Sequence, residues 1–173
     1  MEWDPHTGAL EAAARVRQGE WSAVEVTQGA LARAERFARL GAFAHLTPER
    51  ALEQARGIDA AIAAGESVGA LPGVPVPIKD LAEVAGLPFE GGSLVLRGNV
   101  GQTTDAVAQR LIDAGGITLG KTAAPEFGFP AYTETLAGSP AVTPWDPTRG
   151  AGGSSGGAAA AVAAGITPLA HAS

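Results

Sequence analysis

Apolar residues recur at helical spacing between Val24 and Phe37, and just before them Ser22 and Glu25 stand at the separation of a capping box, which satisfies free amides at a helix start. A helix is therefore predicted from near Ser22. Thr47 followed by Pro48 marks a second helix start, with apolar positions at Ala51, Leu52, Ala55 and Ile58 and a stop near Gly65. Prolines at 72, 75 and 77 exclude a helix between Ala70 and Pro77, whereas Val74, Val76 and Ile78 alternate as an extended segment does, placing Lys79 at its end. Thr103 to Ala114 reads as a helix stopped by Gly115, and Ile117 to Leu119 and Ile166 to Ala170 read as short strands. Glycines concentrate from Gly150 to Gly165, but they run into the apolar, helix-forming stretch Ala158 to Ala164. This predicts a glycine loop opening a buried helix, not a linker. Helices interleaved with short apolar strands imply an α/β fold with a sheet covered on both faces. No repeat or boundary divides the chain, which is expected to be one domain over 1–173, with N-terminal helices over about 8–64 and a core over about 70–173.

Composition narrows the class of function. At 46% hydrophobic and 17% charged residues the chain is globular in character. Twelve Lys and Arg against eighteen Asp and Glu leave a net charge of −6, so neither nucleic acid nor an anionic membrane surface is the expected partner. A small molecule is. The absence of cysteine excludes disulfides and thiolate metal sites, and His6, His45 and His171 lack metal-ligand spacing, so no metal or other cofactor is expected and the histidines read as surface or loop residues. Met1 to Thr7 is polar, without the basic start and apolar run of a leader peptide, and a cytoplasmic location is the default expectation.

Three patterns compete for the chemistry. Gly115-Gly116-Ile117-Thr118-Leu119-Gly120-Lys121-Thr122 fits the phosphate-loop formula by letter. A phosphate loop follows a strand and opens a helix at its Lys-Thr, so that amides and helix dipole face the phosphates. Here a helix precedes, a β-prone run fills the loop, and Pro125, Gly128 and Pro130 deny the helix that should follow. The second pattern, Gly-x-Ser-x-Gly, occurs twice within Gly152-Gly153-Ser154-Ser155-Gly156-Gly157. As a nucleophile elbow it requires a later acid and a distant histidine, yet no Asp or Glu follows Ser154 and His171 comes too soon.

The third pattern is longer. Pro144-Trp145-Asp146-Pro147-Thr148-Arg149, leading into Gly152-Gly153-Ser154-Ser155-Gly156-Gly157 and the alanine run to Gly165, closely resembles the amidase signature. Gly73-Val74-Pro75-Val76-Pro77-Ile78-Lys79-Asp80 is similar to that family's lysine motif, and Leu119-Gly120-Lys121-Thr122 with Pro125-Glu126-Phe127 to its intervening strand and turn. The resemblance extends from about Ser22 onward. It implies an α/β/α sandwich around a mixed sheet, present as its N-terminal portion, and amide hydrolysis by a Ser-Ser-Lys triad. By position, Lys79 matches the lysine and Ser154 the bridging serine, with the Gly153–Ser154 peptide bond cis. Ser155 matches a residue that shapes the site, and Phe127, Gly128 and Tyr132 fall where the acyl pocket is lined.

The chemistry implied is coherent on physical grounds, because a lysine accepts a proton near neutral pH only if burial penalises its ammonium, and Val76, Pro77, Ile78 and Leu81 surround Lys79 in sequence. In the family the attacking serine lies in a Gly-Gly-Ser segment further along. Counted from Ser154, that position falls beyond Ser173, so Ser173 is not taken as the nucleophile and the chain is expected to be inactive alone. Three readings stay open: an amidase sampled in part, the glutaminase subunit of a tRNA-dependent amidotransferase, and a non-catalytic remnant that binds a partner. The amide substrate and any assembly into a homo-oligomer are not legible.

Overall fold

A computed structural model describes residues 4 and 6–173. The stretch Met1 to Thr7, in which no leader is read, lies partly outside them. Helices α1 (Ala9–Arg17), α2 (Ala23–Arg36) and α3 (Pro48–Ala63) form the N-terminal part. The capping box opens α2: Ser22 Oγ accepts from the Glu25 amide at 3.0 Å while the Glu25 carboxylate accepts from the Ser22 amide at 3.1 Å. Two further amides of that first turn donate to the Asp59 carboxylate of α3, Ala23 at 2.6 Å and Val24 at 3.2 Å. One side chain thus satisfies a helix end and ties two helices together.

The central sheet has three short strands, β1 (Phe43–Leu46), β2 (Ile78–Lys79) and β3 (Gly120–Thr122), in the order β1-β3-β2. β3 runs antiparallel to β1 and parallel to β2, with Lys79 opposite Thr122. The sheet is therefore mixed and the fold mixed α/β, as the alternation of helical and extended segments predicts. Val74, Val76 and Ile78 join Ile117 and Leu119, the inner faces of α1 and α2, and Ala51 and Ala55 of α3 in one buried cluster. Alanine at Ala12, Ala13, Ala30, Ala51 and Ala55 keeps those helix faces close to the strands. α4 (Ala106–Asp113) precedes β3, a small hairpin of β4 (Val142–Thr143) and β5 (Asp146–Gly150) carries the Trp-Asp-Pro-Thr-Arg stretch, and α5 (Gly156–Ala163) packs on the strands.

Two strand expectations shift. The predicted strand at Ile117 to Leu119 lies at Gly120 to Thr122, with Ile117 making only an isolated bridge to Pro75. Ile166 to Ala170 is irregular. Pro168 has no amide to give a ladder, and the His171 amide, beyond the segment, donates to the Pro77 carbonyl. Among the described residues no helix is long and apolar enough to cross a membrane.

Candidate functional site

The extended segment ends in Lys79, which has no exposed surface. Its Nζ donates to Ser154 Oγ at 2.8 Å, to the Ser173 carbonyl at 2.9 Å and to Ser173 Oγ at 3.1 Å. Three acceptors, none of them a side-chain carboxylate, meet the three donors of an ammonium. Burial therefore lowers the Lys79 pKa below the ordinary lysine value.

The neighbouring lysine is treated differently. Lys121 is also fully buried, but its Nζ meets the Asp80 carboxylate at 3.1 Å, the Pro88 carbonyl at 3.1 Å and the face of Phe89 at 5.3 Å. Burial lowers its pKa while Asp80 opposes the shift. Asp80, adjacent to Lys79 in sequence, is thus committed to Lys121. The phosphate-loop match is accounted for as well, since Lys121 and Thr122 are interior residues of β3.

Ser154 is held by the loop before α5. The Gly153–Ser154 peptide is cis, and Gly152 adopts φ +77°, a left-handed conformation suited to glycine. A Cβ on Gly153 would lie 2.7 Å from the Tyr132 backbone nitrogen, so only glycine lets these two backbones meet. Thr133 fastens both ends of the loop: its Oγ1 donates to the Gly152 carbonyl at 2.8 Å and accepts from the Gly156 amide at 3.0 Å. The second bond caps α5 from outside the helix, in place of Ser155, whose side chain makes no cap. Ser155 Oγ instead donates to the Ser173 carbonyl at 2.9 Å and accepts from the Ser173 amide at 3.2 Å.

Of the residues singled out in the sequence, Lys79, Ser154, Ser155 and Gly153 are therefore gathered at one place. Tyr132 reaches it through its backbone, while the residue as a whole is 55% exposed and borders a surface cavity of about 530 Å³ with Phe127 and Phe129. Gly128, at φ +72°, packs against Leu81. Ser173, set aside as a nucleophile, and Thr133, unremarked in the sequence, both contact the loop. Two histidines have defined partners, and of these only His45, on a strand, departs from the surface-or-loop expectation. His45 lies on β1 with Nε2 3.1 Å from the Glu90 carboxylate, and His171 is half-buried, with Nδ1 accepting from the Lys79 amide at 3.3 Å. Nothing in the linear pattern marks His171 or Ser173, since both depend on the chain returning past Pro77 after α5. Among the described residues no group of three or more His, Asp or Glu side chains is placed to hold a metal ion.

This combination of elements has counterparts. The glutamyl-tRNA(Gln) amidotransferase of Thermobifida fusca (strain YX) has an A subunit that is 47% identical over 163 residues, which are 94% of this chain and 33% of that protein. The peptide amidase of Stenotrophomonas maltophilia superposes with a TM-score of 0.86 at 30% identity, over 95% of this chain and 35% of that one. A bacterial aryl acylamidase of the amidase signature enzymes gives a TM-score of 0.88 at 32% identity, over 95% of this chain and 34% of its own. The chain spans about a third of the length of the curated relatives it matches. The family model described as Amidase matches residues 25–173, and the chain belongs to that family.

Proposed function

We propose that this chain supplies the lysine and the bridging serine of a Ser-cisSer-Lys amidase, which cleaves a carboxylic amide to an acid and an amine or ammonia. The observation that carries this reading is the 2.8 Å hydrogen bond from Lys79 Nζ to Ser154 Oγ across 75 residues of sequence, in a site where burial favours the neutral amine. Neutral Lys79 takes the proton of Ser154 Oγ as Ser154 takes that of the attacking serine, which adds to the amide carbon. The proton returns through Ser154 to the leaving nitrogen as the C–N bond breaks, leaving an ester on the nucleophile. Water, deprotonated by the same route, hydrolyses that ester and restores the serine. The nucleophile belongs to the Gly-Gly-Ser segment that follows in the family pattern. Ser155 shapes the loop, Gly153 admits the close approach of Tyr132, and Gly128 and Tyr132 lie toward the acyl side.

A second reading is favoured by the relatives that are A subunits of glutamyl-tRNA(Gln) amidotransferases, with identities of 42–47%. There the amide is that of glutamine.

The test is hydrolysis of a panel of small amides, glutamine included, by the 173-residue chain and by a form extended through the Gly-Gly-Ser segment, each with Lys79→Ala and Ser154→Ala versions. Activity of the extended form should fall on the order of 10³-fold or more in either variant. Preference for glutamine selects the second reading. An extended form indifferent to Lys79→Ala refutes both, and turnover by the short chain moves the nucleophile to Ser154, Ser155 or Ser173.

A further inference from the structure

The segment after α5 touches the lysine strand in a way the proposed chemistry leaves unused. The His171 amide donates to the Pro77 carbonyl at 3.0 Å, and the Lys79 amide donates to His171 Nδ1 at 3.3 Å. In a parallel ladder, a residue facing Ile78 gives its N–H to the carbonyl of 77 and takes the N–H of 79 on its own carbonyl. At His171 the first bond is of that kind, and the imidazole nitrogen stands where the carbonyl belongs. An acceptor at Nδ1 requires the neutral ring with its proton on Nε2, because the imidazolium has two donors and no acceptor.

We infer that His171 is a positioning residue for the Lys79–Ser154 pair, its neutral Nδ1 fixing the backbone from which Nζ reaches Ser154 and its protonation releasing that backbone. This rests on the amidase reading of Lys79 and Ser154. The segment grips Lys79 at both ends, because Ser173, two residues after His171, accepts from Nζ while also bonding Ser155. Loosening His171 therefore disturbs the lysine at its backbone and at its amine together.

The charges around the ring favour the neutral form. Burial lowers the His171 pKa most, Lys79 of β2 and Lys121 of β3 lower it further, and Asp105 at the start of α4 opposes them. The contact is thus kept as pH falls through the ordinary histidine value near 6.5 and lost below it.

The test compares His171→Asn, His171→Gln and His171→Ala in the extended form. Asn places its Oδ1 at the same number of bonds from the backbone as Nδ1 and does not titrate, whereas Gln carries its acceptor one bond too far. His171→Asn should keep kcat near that of the parent while losing the acid limb below pH 6.5, and the Gln and Ala variants should lose about tenfold in kcat with KM little changed. In the unsubstituted 173-residue chain, the Lys79 amide resonance should titrate with the His171 ring nitrogens at one midpoint below 6.5. Equal loss in all three variants, or a Lys79 amide that ignores the ring titration, overturns the inference. Hydrolysis that survives Lys79→Ala overturns the amidase reading itself, whereas hydrolysis that needs Lys79 but is unmoved by any His171 variant overturns this inference alone.

Discussion

Gly157 is the point at which α5 is pressed most closely onto the sheet, and substituting it tests whether that approach holds the serine loop in place. A Cβ added there would run into the Ala123 backbone nitrogen and lie 2.5 Å from the Ala42 carbonyl oxygen and 2.7 Å from that of Ala123. All three atoms are backbone, so no side-chain rotation relieves the overlap and the helix must move away. That movement also strains the Gly157 amide's 3.2 Å bond to the Ala123 carbonyl. Overpacking of this sort costs about 1–3 kcal/mol, against at most about 1 kcal/mol gained in helix propensity, leaving Gly157→Ala less stable by roughly 1–2 kcal/mol. For a chain of this size the melting temperature should fall by roughly 2–8 °C. Gly57 is the matched control, because it lies exposed within α3 and a Cβ there meets nothing within 4 Å. Gly57→Ala should stabilise by about 0.5–1 kcal/mol. Urea denaturation and thermal melts of both variants beside the parent give the comparison. A Gly157→Ala variant as stable as Gly57→Ala would refute the close packing of α5 on β1 and β3.

Ser22→Ala removes the reciprocal cap of α2 and should cost about 1 kcal/mol in denaturation midpoints, while Ser22→Asp keeps most of it. Asp80→Asn leaves the Lys121 ammonium buried without its counter-charge and should destabilise by about 3–5 kcal/mol, read by urea unfolding, whereas joint replacement of Asp80 and Lys121 by apolar residues should cost much less. Because the folded-state pKa of Lys79 lies below its unfolded value, the unfolded chain binds the extra proton between the two, and the stability lost to burying the ammonium is recovered as pH rises toward 10.5. The stability difference between the parent and Lys79→Met, followed by denaturation from neutral to alkaline pH, should therefore shift in favour of the parent; a flat difference would mean that burial does not perturb Lys79.

Local order was legible wherever it is set by neighbours in sequence. The Ser22–Glu25 cap, the Thr47-Pro48 start, the glycine loop opening α5 and the extended approach to Lys79 all depend on short-range sterics and hydrogen bonding, which the residue order contains. Strand boundaries were less so: a ladder needs a partner, and Ile117 to Leu119 pairs only through the bridge of Ile117 to Pro75, while Ile166 to Ala170 has apolar strand character without pairing as a strand.

The long signature marked Lys79 and Ser154 as candidates for one site, and the absence of cysteine excluded thiolate chemistry from these residues. Tertiary structure decided which of two buried lysines has a carboxylate: Asp80 lies beside Lys79 in sequence, but neighbouring residues on an extended chain point to opposite faces, and across the sheet it meets Lys121. It also decided that Thr133, His171 and Ser173 touch the loop or the lysine strand, because those contacts arise where the chain returns after α5 and around the hairpin. Such meetings depend on the packing of the whole chain, and no local pattern of residues encodes them.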